Sequence, residues 1–134
     1  MQAFFISLVT VMLSMLVLDA TWLTLTAKSF YAKYIGLLLA ASPALTPAAF
    51  FYVIYAVGVT VFVVLPGVAA VSSLPKVFFF GALFGCVAYA TYDLTNQATL
   101  KEWATIVTVV DLVWGSLLTG TLSVLAFSVV RYFA

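Results

Sequence analysis

The chain has 134 residues, of which 66% are hydrophobic and 7% charged, with a net charge of +1 and no histidine. A soluble domain carries about 25% charged residues, so this chain cannot cover a water-facing surface and reads as an integral membrane protein without a separate soluble module. The lack of histidine removes haem ligation, the usual di-iron sites and a Ser-His relay; the lack of a basic run excludes nucleic acid as a partner.

A helix needs about 20 apolar residues to cross a bilayer, and the chain offers four such runs. The first is expected over residues 4–26, within "MQAFFISLVTVMLSMLVLDATWL". No Lys or Arg precedes its apolar core, and the run is too long for a signal-peptide h-region, so it reads as a transmembrane helix. "KSFYAKYIGLLLAASPALTP" follows, mixing Lys28, Lys33, Tyr31 and Tyr34 with an apolar run too short to span. Residues 29–42 are therefore expected as an amphipathic helix lying in the interface. The second span is expected over residues 48–71, after Pro47, and the third over residues 77–96, after Pro75 and Lys76. The fourth is expected over residues 104–132, with Arg131 and Tyr132 as its interfacial stop. Continuous apolar runs without period-two alternation argue against a β-barrel. The fold class is thus all-α: one domain over residues 1–134, a bundle of four transmembrane helices with an interfacial helix between the first and second.

Four antiparallel spans bring particular polar residues to one half of the bilayer. Asp19 and Trp22 lie near the end of the first span, and Tyr52 and Tyr55 near the start of the second. Tyr89, Tyr92, Asp93 and Asn96 lie near the end of the third, and Asp111 and Trp114 near the start of the fourth. At 1.5 Å per residue, Asp19 and Asp111 lie about 10 Å inside their helix ends. Tyr89, Tyr92, Asp93 and Asn96 stand at i, i+3, i+4 and i+7, one face of one helix. Gly81 and Gly85 continue that face as a GxxxG, and Gly115 shares a face with Asp111 and Trp114, which marks these three glycines for close helix packing. An aspartate at mid-helix costs about 2.5–3.5 kcal/mol on insertion scales, and such groups normally face the bundle interior. No Lys or Arg lies in any span at that depth, so the carboxyls depend on neutral donors, a proton or a bound cation.

The ten residues Asp19, Trp22, Tyr52, Tyr55, Tyr89, Tyr92, Asp93, Asn96, Asp111 and Trp114 are accordingly the expected ligand-binding set. Trp103 reads instead as an ordinary interfacial belt residue, and Cys86 as a small packing residue within an apolar run. No catalytic motif is recognisable, and no metal or cofactor is expected. Three classes of function remain: binding of a lipid or small amphipathic ligand, proton- or cation-coupled transport, and lipid modification by an acid–base pair of aspartates. The first ranks highest, because an aromatic-lined site is present without a catalytic set. Lys28, Lys33 and Lys101 on the aspartate side against Lys76 and Arg131 on the other lean toward a cytoplasmic site.

The combination of "LDATWL", "FFYVIYAVGVTVFVVLPG", "GALFGCVAYATYDLTNQATLKEW" and "VVDLVWG" resembles a family of small bacterial predicted membrane proteins of unknown function. The likeness covers essentially the whole chain, and "YATYDLTN" is its most specific part. It implies a multi-pass protein of the bacterial inner membrane with four helices. Through gene neighbourhoods containing cyclopropane-fatty-acid-synthase-like enzymes, it points to lipid chemistry or envelope stress. The expected partners are membrane lipid, a second copy of the chain, or proteins of lipid metabolism.

Overall fold

A computed structural model describes residues 1–134, and every element in it is helical. Helix α1 (Gln2–Thr26) continues through a π-helical turn, Ala27–Tyr31, into α2 (Ala32–Ile35) and a closing 3-10 turn, Gly36–Leu38. Helix α3 (Leu45–Val59) passes through a second π turn, Thr60–Val64, into α4 (Leu65–Ala69); α5 spans Leu74–Thr99 and α6 spans Thr105–Phe133. Four helical stretches are long and apolar enough to cross a membrane: Gln2–Leu38, Leu45–Ala69, Leu74–Thr99 and Thr105–Phe133. The expected four-span bundle is therefore present. The first helix differs from expectation in not ending at Thr26, because the segment read as a separate helix is joined to it through the π turn.

The π turn in the second span has a local cause. Pro66 has no N–H, and its ring would crowd the carbonyl of Phe62 in a regular helix. Widening the turn relieves this, and the Leu65 N–H bonds Thr60 O, five residues back. Pro75 raises no such difficulty, since it stands in the first turn of α5, where its missing N–H is not required.

Helix α6 is the spine. It buries twelve residues, from Val107 to Val130, and packs most extensively on α5 and next on α1. The apolar core joins Val11 and Met15 of α1, Tyr55, Ala56 and Val59 of α3, Val77 of α5, and Leu118, Leu122, Ala126 and Phe127 of α6. Small residues set the α5–α6 distance. A Cβ on Gly81 would sit 2.8 Å from the Thr119 carbonyl, one on Gly85 would strike the Gly115 carbonyl, and one on Gly115 would strike the Tyr89 ring. All three expected packing glycines thus lie where the helices touch. Gly120 joins them, because its missing side chain admits the Phe78 ring.

Polar groups away from the aspartates are satisfied locally. Thr10, Thr21, Thr24, Thr91, Ser116 and Ser128 each donate to the carbonyl four residues back, as hydroxyls on lipid-facing helices must. Deeper in the bundle, Ser7 and Thr60 bond across helices at 3.0 Å, and Tyr55 and Thr119 at 2.6 Å. The half of the bundle opposite the aspartates therefore also holds buried hydroxyls.

One backbone position is strained. Val71, in the turn between α4 and α5, has φ +48° and is 72% exposed. A β-branched residue in the left-handed region costs about 1–2 kcal/mol, and this one contributes little packing in return. Val71→Gly is expected to raise the thermal midpoint in detergent, with a gain of about 1 kcal/mol; an unchanged or lowered midpoint would show that the turn carries no strain.

Candidate functional site

The sequence places two aspartates on helices that meet, and the structure gives each one tyrosine hydroxyl as donor. The Tyr52 hydroxyl, on α3, donates to Asp19 Oδ2 at 2.6 Å. The Tyr31 hydroxyl donates to Asp111 Oδ1 at 2.5 Å and accepts from Trp22 Nε1 at 3.0 Å. Asp19 is 9% exposed and Asp111 8%, so both face the bundle. Asp93 is 0% exposed and lies within hydrogen-bonding reach of the Asp111 carboxyl, and no hydroxyl or N–H donor reaches either of its oxygens. The indole N–H of Trp114 is likewise buried without a partner.

The repeated D-x-x-W spacing has a geometric result. Trp22 and Trp114 each lie three residues after an aspartate, on its face of the helix, and the two indoles stack at 4.3 Å with planes 9° apart. That stack joins α1 to α6 beside the aspartates. Trp103, in the loop before α6, donates to Thr108 Oγ1 at 3.0 Å and sets its ring edge-on to Tyr92 at 5.8 Å.

These groups enclose a cavity of about 560 Å³. Asp19, Trp22, Tyr89, Tyr92, Asp111 and Trp114 line it, together with Tyr31 and Trp103, and residues Ile35, Leu39, Ala40 and Pro43 close it from the segment after α1. No lysine or arginine lines it. A second cavity, of about 380 Å³, lies between α3 and α5 and is lined by Phe51, Tyr55, Ala88, Tyr89, Tyr92 and Asp111. Tyr89, Tyr92 and Asp111 border both spaces.

Of the ten residues expected to form one site, six line the larger cavity and Tyr55 lines the adjoining one. Tyr52 acts through Asp19, and Asp93 stands behind Asp111. Asn96 lines neither cavity; its side chain lies beside Tyr92 and its carbonyl accepts from the Leu100 N–H at the end of α5. Two aromatic residues of the cavity were missing from the expected set. Trp103, read as a belt residue, walls the cavity, and Tyr31, assigned to the connection after the first span, holds Asp111. The signal available for Tyr31 was its aromatic hydroxyl close in sequence to the aspartate side, but its direction depends on the π turn.

Fold and cavity together define a multi-pass membrane protein whose four helices gather buried carboxyls and tryptophans in one half of the bundle. The chain belongs to the family described as predicted membrane protein (DUF2177), which it matches over residues 4–128. No curated protein and no solved structure matches it.

Proposed function

We propose that this protein binds a membrane lipid or a small amphipathic ligand in the bacterial inner membrane. The polar part of the ligand occupies the cavity around Asp19 and Asp111, and the apolar part lies along the aromatic walls. The observation that carries the reading is one cavity of about 560 Å³ lined by two carboxyls and by Trp22, Trp103 and Trp114. That volume falls within the ~300–1,000 Å³ range of small-molecule sites, which are mostly apolar with a few placed polar groups. Here the carboxyls are acceptors, and the unpartnered Trp114 N–H is a donor.

Native mass spectrometry of the gently solubilised protein tests this. A specific lipid or small molecule is expected on the wild type and is expected to be lost from Asp111→Asn, with thermal midpoints within a few degrees of each other. Wild-type protein free of any bound species would sink the reading.

One observation favours a second function. Asp93 is fully buried against the Asp111 carboxyl with no hydroxyl or N–H donor, and buried intramembrane carboxyls mark proton and cation pathways. Uncoupler-sensitive uptake by proteoliposomes, abolished in Asp93→Asn, would move coupled transport ahead of binding.

A further inference from the structure

The larger cavity does not end at the tryptophans. Tyr89, Tyr92 and Asp111 are shared with the space between α3 and α5, so the two cavities meet at one carboxyl. That second space lies where α3, packed on α1, stands off from α5 and α6. The second span packs on α5 and α6 through its π turn, Thr60–Val64, while the preceding part of α3 touches them only marginally. Gly58 and Phe84 mark where the gap closes. The Phe84 ring fills the place of a Gly58 side chain, a Cβ there being 2.9 Å from Cζ, and it packs edge-on to Tyr55 at 5.8 Å. Beyond that floor, toward the aspartates, the gap is walled by Phe51, Tyr55 and Ala88.

The two adjoining cavities differ in chemistry. The cavity under the Ile35–Pro43 segment holds Asp19 and Asp111, with Asp93 behind, and no lysine or arginine. Carboxyls withdrawn from water need compensating charge or hydrogen bonds. Tyr31 and Tyr52 each supply one hydrogen bond, and Asp93 has only the Asp111 carboxyl beside it, with no hydroxyl or N–H donor. Trp22 and Trp114 add indole faces, which attract cations and repel anions. An anionic or phosphate-only head finds no basic partner there. The lateral cavity offers only apolar and aromatic walls apart from the shared carboxyl.

We infer that the site takes an amphiphile with an ammonium head, the head held among Asp19, Asp111 and the Trp22–Trp114 pair and the alkyl chain leaving sideways between α3 and α5. This assignment rests on the binding function proposed above and names the chemical class of its ligand.

Intrinsic fluorescence is a direct readout, because the chain has three tryptophans and all three line the cavity. Full-length protein in dodecyl maltoside micelles, a non-ionic host with no ammonium group, would be titrated with octylammonium, octanol and octyl sulfate, then with the alkylammonium series from butyl to octyl. Octylammonium is expected to give a saturable change at least tenfold tighter than either comparator, and Asp111→Asn is expected to abolish it. Asp19→Asn serves as the second variant should Asp111→Asn fail to fold. Referred to the free aqueous probe, affinity is expected to rise about fourfold per added CH₂, as for burial of a methylene. Ala88→Phe, which plugs the lateral gap, is expected to flatten that rise while leaving butylammonium binding intact. Equal, Asp111-dependent affinity for octanol or octyl sulfate would overturn the ammonium assignment and leave lipid binding standing. An unchanged chain-length series in Ala88→Phe would overturn the lateral route. Absence of saturable binding by all three probes overturns the inference; the binding function falls with it only if native mass spectrometry also finds no bound species.

Discussion

Gly85→Ile is expected to destroy the folded bundle. In bilayers, helices associate without a hydrophobic drive between them, so close van der Waals packing carries the interface. The α5–α6 contact is the largest in this protein, and Gly85 lies within it. A side chain there meets the carbonyl of Gly115, and its Cβ would lie 2.8 Å from Thr119 Cβ. A carbonyl in the middle of a helix cannot swing aside, so the helices must separate along their length. Overpacking of a core costs about 1–3 kcal/mol even where side chains can adjust, and here the obstacle is backbone. The separation would also release the Tyr89 ring from the notch at Gly115 and disturb the Tyr55–Thr119 hydrogen bond. The expected result in mild detergent is loss of the monodisperse size-exclusion peak. Gly36→Ala is the control: nothing lies within 4 Å of a Cβ there, and a change within about ±0.5 kcal/mol is expected. A wild-type elution profile for Gly85→Ile would show that the two helices are not in close contact at this point.

The reach of the sequence can be judged element by element. The four spans were legible because hydropathy over about 20 residues is a strong signal, and antiparallel connection then dictated which polar residues share a level. Asp19 meeting Tyr52, and Trp22 meeting Trp114, follow from that level and from the i, i+3 spacing of each D-x-x-W. The glycine contacts were legible for the same reason, since Gly81, Gly85, Tyr89 and Asp93 form one line along α5.

What escaped the sequence depends on departures from the regular helix. Nine residues at about 100° each would place Tyr31 on the face opposite Trp22 in a straight α-helix. The wider turn at Ala27–Tyr31 takes fewer degrees per residue and returns the phenol to the aspartate side. No local pattern in "AKSFY" announces it. The stand-off of α3 from α5 and α6 was equally hidden, because it follows from how Thr60–Val64 packs rather than from the apolar pattern of "FFYVIYAVGV". Asn96 is the converse case, lining neither cavity. It shares the helical face of Asp93, but at the end of α5 that face has already left the cavity, so periodicity alone runs one turn past it.

Tyr31→Phe is expected to loosen the segment that roofs the cavity while the bundle stays assembled. The substitution removes one oxygen that does two things, accepting from Trp22 Nε1 and donating to Asp111 Oδ1. Orphaning a buried polar group costs about 1–3 kcal/mol in soluble proteins, whereas interhelical hydrogen bonds in membranes average only about 0.6 kcal/mol. Two groups are orphaned together and one is a carboxyl, so a loss of about 1–2 kcal/mol is the reasonable sum of these opposing measures. That is too little to separate α5 from α6, whose contact does not involve Tyr31. It is enough to release α2, which is only four residues long and is otherwise held chiefly by Ile35, its single buried residue. The measurement is hydrogen exchange over Ala32–Leu38, expected to accelerate at least tenfold, against unchanged exchange in the middle of α6. Tyr34→Phe is the paired control, because Tyr34 is 38% exposed and its packing against Phe30, at 5.1 Å, survives the change. Equal exchange in Tyr31→Phe and wild type would mean that apolar contacts alone hold the roof. An acceleration confined to Tyr31→Phe would make one phenol the link between the first helix and the Asp111 carboxyl at the meeting point of the two cavities.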